Sequence, residues 1–472
     1  MTDESKPREA AMTASPVPAS PATVDLLVLG SGSAGAGIAK KAAKAGRSVV
    51  LVEPGQYGGT CALAGCNPKK VLVRAAELAD LASRMRGQYL EKDADTQLDW
   101  KAVQAFRRSF VEPIPASTLE SLHEAGVHTQ VGQPRLTGPH ECEVAGSRIA
   151  FERLVIATGA KPLPPPFEGA DLTIDSDQFL RLPSLPASIL FLGGGYISAE
   201  FAHVCLIAGC ETAIVERGPR LLEHFDRDLV LRLEAHSRER GMKIYADSDV
   251  QGVRRRQSGG YDVTVATASG DRTLTADLVV QALGRVPNLD GLKLDAAGIS
   301  SSEKGVSVDQ QCRSTSQRHV WAVGDCADHG YPMLTPVANE TSRCVSRQLD
   351  GESDAELDIE PLPTAAFTLP PIASVGLTEE EARERYGDDV RVRSEAMESW
   401  TTFRKVGAEV ATYKTIQRES DRRLLGAHLL GPEAPELINL FALAMKLKAT
   451  GRDLKSLLFA YPTLASEVRA MV

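Results

Sequence analysis

The sequence predicts an α/β fold with two Rossmann-like dinucleotide-binding domains, and three observations carry that prediction. An apolar strand run leads into a glycine-rich turn and then a helical pattern at two separate places, from Val24 and from Ser188. In both copies a second apolar run ends in an acid, Glu53 or Glu216, placed 23 positions after the first glycine (30 to 53 and 193 to 216). With 472 residues, 43% hydrophobic content and 39 glycines, the chain is long enough for two or three domains with substantial cores.

In the first copy, Val24 to Leu29 is the strand and Gly30-Ser31-Gly32-Ser33-Ala34-Gly35 is the turn. A helical pattern follows through Ala45, then the strand run Ser48 to Val52 ending at Glu53. Glycines let the backbone turn and approach a pyrophosphate, the helix N-terminus holds its charge, and the acid accepts a hydrogen bond from a ribose hydroxyl. The glycine motif alone is weak evidence; the flanking strand, helix and acid make it specific. In the second copy Ser188 to Leu192 leads into Gly193-Gly194-Gly195-Tyr196-Ile197-Ser198, and Thr212 to Val215 ends at Glu216. Ser198 replaces the usual third Gly or Ala but is small enough for close helix packing.

Between the copies, Phe151 to Ala160 reads as a strand closing on Thr158-Gly159, followed by the proline-rich Pro162 to Pro166, a composition shift that marks a domain crossover. Gln281 to Asn288, with Gly284, is a second boundary. Val320 to Asp325 is a strand ending in Gly324-Asp325, and the acidic, proline-bearing stretch from Glu352 to Pro363 suggests a linker into a last domain.

A different chemistry sits at Gly58 to Lys70. Cys61 and Cys66 lie just ahead of a helical run, Val71 to Met85, in which Val71, Leu72, Ala75, Leu78, Ala79 and Ala82 recur at helical spacing. Pro68 suits the first turn of that helix. Cys66 is therefore expected beside open backbone N–H groups at the positive end of a helix, which favours thiolate over thiol. A reactive dithiol able to close into a disulfide is the expectation. Cys205 and Cys210 have the same spacing but flank a helix-to-strand join and read as buried packing cysteines.

Composition excludes several classes. The net charge of −9 argues against nucleic acid or an anionic membrane as main partner. No apolar run approaches the roughly 18 residues of a spanning helix, and residues 1–22 have no apolar signal core, so a disordered tail on a cytoplasmic protein is expected. Eight irregularly spaced cysteines do not form a structural disulfide framework, and no metal site is expected.

Taken together, the Cys61–Cys66 stretch, both fingerprints, Ala157-Thr158-Gly159, Gly284-Arg285-Val286-Pro287-Asn288, Gly324-Asp325, and Phe367-Thr368-Leu369-Pro370 with Val375-Gly376-Leu377-Thr378 resemble the flavin-dependent pyridine nucleotide-disulfide oxidoreductases. That group includes glutathione reductase, dihydrolipoyl dehydrogenase and mercuric reductase. The resemblance spans nearly everything after the tail. It implies an FAD domain (23–165 and 285–355), an NAD(P) domain (166–284) and a C-terminal α+β dimerisation domain (356–472) that pairs two subunits.

By the resemblance, Gly30, Gly32, Ser33, Ala34, Gly35, Glu53, Gly59, Thr60, Thr158, Gly159, Gly324 and Asp325 hold FAD. Gly193, Gly195, Tyr196, Ile197, Glu216, Arg217 and Gly284 hold the nicotinamide dinucleotide, with Tyr196 covering its pocket. Cys66 faces the flavin and Cys61 attacks a small disulfide substrate. Either Lys69 or Lys70 pairs with Glu200 near the flavin, and Lys40 and Arg343 echo basic positions near substrate carboxylates. Each has a plainer reading: Tyr196 as helix packing, Arg343 as a surface ion pair, Lys40 and Lys41 as a solvated helix face, His329 as a structural or exposed histidine.

Glu216 suits the free 2′-hydroxyl of NADH and repels the 2′-phosphate of NADPH, while Arg217 and Arg220 pull the other way; the balance leans to NADH. The resemblance breaks at the C-terminus. The family's His-Pro-Thr-x-Ser-Glu, supplied by the partner subunit, is here Tyr461-Pro462-Thr463-Leu464-Ala465-Ser466-Glu467. A phenol of pKa about 10 is roughly 0.1% ionised at pH 7, so its use as a base costs about 4 kcal/mol more than a group already deprotonated. Tyr461 and Glu467 are therefore candidates for binding as much as for proton transfer. This weakens a dihydrolipoyl dehydrogenase reading and leaves mercuric reductase-like electrophile reduction, or an inactive subunit of an assembly, as alternatives to glutathione-reductase-like chemistry.

Overall fold

The computed structural model describes residues 23–472; the expected disordered tail lies outside the described residues. The chain divides into two compact units. One takes the residues up to Leu63, Val111–Lys161 and Val286–Asp358; the other takes Ala64–Phe110, Pro162–Arg285 and Ile359–Val472. Residues 64–110, grouped with the first fingerprint in the sequence reading, cluster with the second unit. Leu72, Val73 and Ala76 bury themselves in the same core as Phe191, Phe201 and Leu229.

The first unit is built on parallel strands in the order His128–Val131, Val49–Glu53, Val24–Leu29, Ser147–Ile156, Val320–Ala322. Leu26 to Leu29 are fully buried, because a parallel sheet covered on both faces leaves no solvated side for alternation. Helix Ser33–Lys44 packs against helix Thr335–Leu349, with Ile38 and Val345 in one cluster. The strand expected to run to Ala160 ends at Ile156, since the chain then turns through Gly159 at φ +66°.

The second unit repeats the arrangement with four parallel strands, Lys243–Tyr245, Glu211–Val215, Ser188–Leu192 and Leu278–Gln281. Helix Tyr196–Ile207 is buried continuously from Ser198 to Cys205. A five-stranded antiparallel sheet, ordered Thr364–Ala366, Ile372–Gly376, Leu424–Leu430, Thr412–Arg418, Val390–Ala396, carries helix Ala434–Lys446, whose Ile438 and Phe441 pack with Tyr413 and Leu429. The α/β class with a C-terminal α+β portion is the fold expected.

One buried ion cluster in this unit serves the fold. Lys414 Nζ lies 3.0 Å from Asp226, 2.6 Å from Asp228 and 3.4 Å from Glu379. Although burial opposes its charge, the Asp226 and Asp228 carboxylates hold the Lys414 pKa above the ordinary lysine value. Lys414→Met leaves the buried Asp226 without its counter-ion and is expected to cost ~3–5 kcal/mol, read as a lower urea midpoint. An unchanged midpoint would show that the cluster contributes nothing net.

Candidate functional site

In the first unit the fingerprint residues converge at one end of the parallel sheet. Helix Ser33–Lys44 follows Gly32, which has no side chain with which to cap it, so the first-turn N–H groups stay open to an anion. A side chain at Gly35 would collide with the Gly30 carbonyl, and one at Gly59 with Gly32; these positions demand glycine and bring the redox stretch against the turn. Glu53 accepts hydrogen bonds from the Ser31 N–H (2.9 Å) and hydroxyl (2.7 Å). Gly324 opens a 3-10 turn with Asp325 and lies beside Ala34 and Ala338. Thr158 and Gly159 follow the strand that abuts Gly30.

A cavity of about 340 Å³ runs from Ser31, Gly32 and Ser33 along the helix face of Ala36, Gly37 and Lys40 to Ser117, Thr118 and Ser121. The uncapped helix start, the close glycines and Glu53 fit a dinucleotide, so FAD suits this site on the residues themselves. Lys40 donates to Ser121 Oγ at 3.2 Å. It therefore sits in a polar groove, not on the open helix face that its sequence also allowed.

The second unit reproduces the geometry. Gly195 caps helix Tyr196–Ile207 without a side-chain bond, and Glu216 accepts from the Gly194 N–H and from the Gly218 N–H at 2.6 Å. Gly193 and Gly284 have φ +98° and +111°. Tyr196 and Arg217 are exposed and Ile197 is half-buried. The Arg220 guanidinium donates to the Glu223 and Phe225 carbonyls at 2.6 and 3.4 Å. That engagement leaves Glu216 as the charged group at the end of the strand with backbone support.

Cys66 is exposed and is the first residue of the 19-residue helix Cys66–Arg84, which starts earlier than the run expected from Val71 because Gly65 breaks the chain direction and Pro68 fits the first turn. One turn on, Lys69 and Lys70 place both Nζ atoms on the same Glu200 oxygen, at 3.0 and 2.5 Å. Sequence left open which lysine meets Glu200; both do. The Lys69 ammonium also lies 4.5 Å from the Tyr196 ring centre and that of Lys70 3.8 Å from the Phe367 ring centre.

Glu200 is 1% exposed and accepts the Phe367 N–H at 3.1 Å. Burial raises its pKa, but the two ammoniums and this N–H win and hold it below the ordinary carboxylate value. Burial, reinforced by repulsion from Lys69, pushes Lys70 down to about 8 in spite of Glu200. Two cations against one carboxylate give a buried cluster with net positive charge.

Cys61 lies in the short helix Gly59–Leu63, half-buried, and its Sγ accepts the Thr335 hydroxyl at 3.2 Å. Thr60 beside it is exposed. Cys205 and Cys210 are buried, with burial and the Cys210 sulfur raising the Cys205 thiol; the packing role expected of them is what the fold gives. Arg343 pairs with Glu340 at 2.6 Å on the exposed side of its helix. Tyr461 is 81% exposed in the single chain. Glu467 accepts the Thr402 hydroxyl at 2.8 Å. His329 accepts the Tyr331 N–H through Nδ1 at 3.1 Å.

Sequence reasoning missed Thr335, the Phe367 N–H and the Ser117–Ser121 wall. Thr335-Pro336 is a helix-start signal, yet nothing local in it points to a cysteine 274 positions away.

Two dinucleotide-binding units, each with its own acid, and a cysteine pair at a helix start define a redox protein that handles two nucleotide cofactors. The chain belongs to the pyridine nucleotide-disulphide oxidoreductase family: the family's sequence model matches residues 24–342, and that of its dimerisation domain matches residues 362–472. It is similar to the glutathione reductase of Burkholderia cepacia, 33% identical and covering 94% of this chain and 97% of that one. The glutathione reductase of Nostoc sp. is 30% identical, with 95% and 99% covered. Among solved structures it is similar to the Cu(II) complex of a cysteine-to-serine mutant of RclA, the HOCl-induced flavoprotein disulfide reductase from Escherichia coli, at a TM-score of 0.85 and 27% identity, covering 95% and 98%. The chain is thus a pyridine nucleotide-dependent, FAD-type disulfide oxidoreductase carrying a dimerisation domain. No helix among the described residues is long and apolar enough to cross a membrane.

Proposed function

We propose that this chain is a homodimeric FAD enzyme of the cytoplasm that passes electrons from NADH through Cys61 and Cys66 to a small anionic disulfide. The observation that carries the reading is the Lys69–Glu200–Lys70 cluster. It ties the helix begun by Cys66 to the helix begun by the second fingerprint, in one buried ion group. Bound FAD supplies the two-electron relay between nicotinamide and dithiol. The protein's part is placement and charge: the net positive cluster favours negative charge developing nearby, and the helix end at Cys66 favours a thiolate.

In the reduced dithiol, the Cys61 thiolate attacks one sulfur of the substrate, breaking its S–S bond and releasing one thiolate, which takes a proton from solvent. Cys66 then attacks Cys61 of the mixed disulfide, releasing the second thiolate and closing the Cys61–Cys66 disulfide. Two electrons leave the protein and two thiols form. Lys40 at the end of the fingerprint groove suits a substrate carboxylate. The exposure of Tyr461 supports a role toward the partner subunit's substrate, its phenol donating a hydrogen bond and Glu467 accepting one, rather than acting as a base.

The test crosses NADH and NADPH with glutathione disulfide, lipoamide, other low-molecular-weight disulfides and Hg(II), using FAD-loaded protein. NADH with a carboxylate-bearing disulfide is expected to be fastest, and Glu216→Ala to erode the NADH preference by about tenfold. Hg(II)-dependent NADH oxidation exceeding every disulfide would instead establish electrophile reduction at the same thiols.

A further inference from the structure

Cys61 is held from a direction the cofactor fingerprints do not explain. Its sulfur accepts a 3.2 Å hydrogen bond from the hydroxyl of Thr335, the first residue of helix Thr335–Leu349. Both partners are fixed. Further along the same helix, Thr341 Oγ1 accepts the Gly324 N–H at 3.0 Å and Ser342 Oγ donates to the Ala34 carbonyl at 2.9 Å, fastening the helix to the Gly-Asp turn and to the first fingerprint. On the other side, the short helix of Cys61 starts at Gly59, which is packed directly against Gly32. Thr335 and Cys61 are thus two arms of one framework, and their contact is preorganised.

We propose that Thr335 is a positioning residue that stabilises the thiolate of Cys61, the thiol assigned above to substrate attack; the inference rests on that assignment. A neutral thiol is a weak acceptor, whereas a thiolate accepts a charge-assisted bond, so a fixed hydroxyl donor favours the ionised form. The helix behind Thr335 adds the partial positive charge of its N-terminal end in the same direction. The hydroxyl also fixes where the sulfur points, which matters because attack on a disulfide needs an aligned approach.

The experiment follows alkylation of Cys61 by iodoacetamide as a function of pH in FAD-loaded dimer. A Cys66→Ser background lets Cys61 titrate alone, and the modified peptide is quantified by mass spectrometry. Thr335→Val is expected to raise the apparent Cys61 pKa by about 0.5–1 unit and to slow alkylation near pH 7 about threefold to tenfold. Thr335→Ser restores both. With Cys66 intact, Thr335→Val is expected to keep its flavin content and its Cys66-to-flavin absorbance. The proposal is overturned when Thr335→Val, or Thr335→Ala where Val compromises folding, titrates like the parent, or when Thr335→Ser fails to restore the profile. No disulfide turnover enters this readout, so an error in the substrate reading shows in the nucleotide–disulfide panel and leaves the titration intact.

Discussion

Cys66→Ser is expected to bind FAD and accept electrons from NADH, yet to show no long-wavelength thiolate-to-flavin absorbance on anaerobic two-electron reduction. Its disulfide turnover falls by roughly a thousandfold or more, the scale on which removal of a reacting group acts. Cys61→Ser is expected to lose turnover to the same degree while keeping the absorbance, because its Cys66 remains at the start of a 19-residue helix. The two variants separate the roles by spectrum, not by rate. A wild-type protein with no such band would sink the dithiol relay, and undiminished turnover in Cys61→Ser would remove that residue from substrate attack.

Glu200→Ala carries the other large effect. The substitution deletes the one carboxylate shared by Lys69 and Lys70 and leaves two ammoniums together in a buried site, a loss of ~3–5 kcal/mol. The effect depends on pH with a definite sign. Lys70 in the fold is depressed from 10.5 to about 8, so unfolding takes up a proton between those values. The cost of its charge is full below about pH 8 and is relieved as pH rises towards 10.5. Without Glu200 the depression deepens and the window extends to lower pH. The stability deficit of Glu200→Ala should therefore be larger at about pH 7 than at about pH 9. Urea midpoints of wild type and variant at both values measure it, and a deficit that does not shrink with pH would contradict the cluster's charge balance. Flavin reduction by NADH in this variant should also slow, since the group that orients both lysines is gone.

The two predictions draw on different kinds of information. Cys61 and Cys66 stand out in the chain itself, because a cysteine pair, Pro68 and a helical apolar repeat are local signals. Glu200 stands out only through resemblance, and its double engagement is visible only in the fold: Lys70 lies 130 positions away and Phe367 167. Lys40 shows the same limit from the other side. Periodicity puts it on a helix face, but whether that face is open or walled by Ser117, Thr118 and Ser121 is settled by where a distant segment packs.

By itself the sequence determined the two glycine fingerprints with their flanking strands, the acid closing each, and the cysteine pair ahead of a helix. These are written in short continuous apolar runs, glycines at fixed offsets and apolar residues at helical spacing, all of which act over a few residues. Only the tertiary structure decided that residues 64–110 share a core with the second fingerprint, that one carboxylate serves two lysines, and that Thr335 reaches Cys61. Such contacts join segments far apart in the chain. They arise from packing and from the need to pair buried polar groups, and a side chain's local sequence carries no record of which distant group will satisfy it.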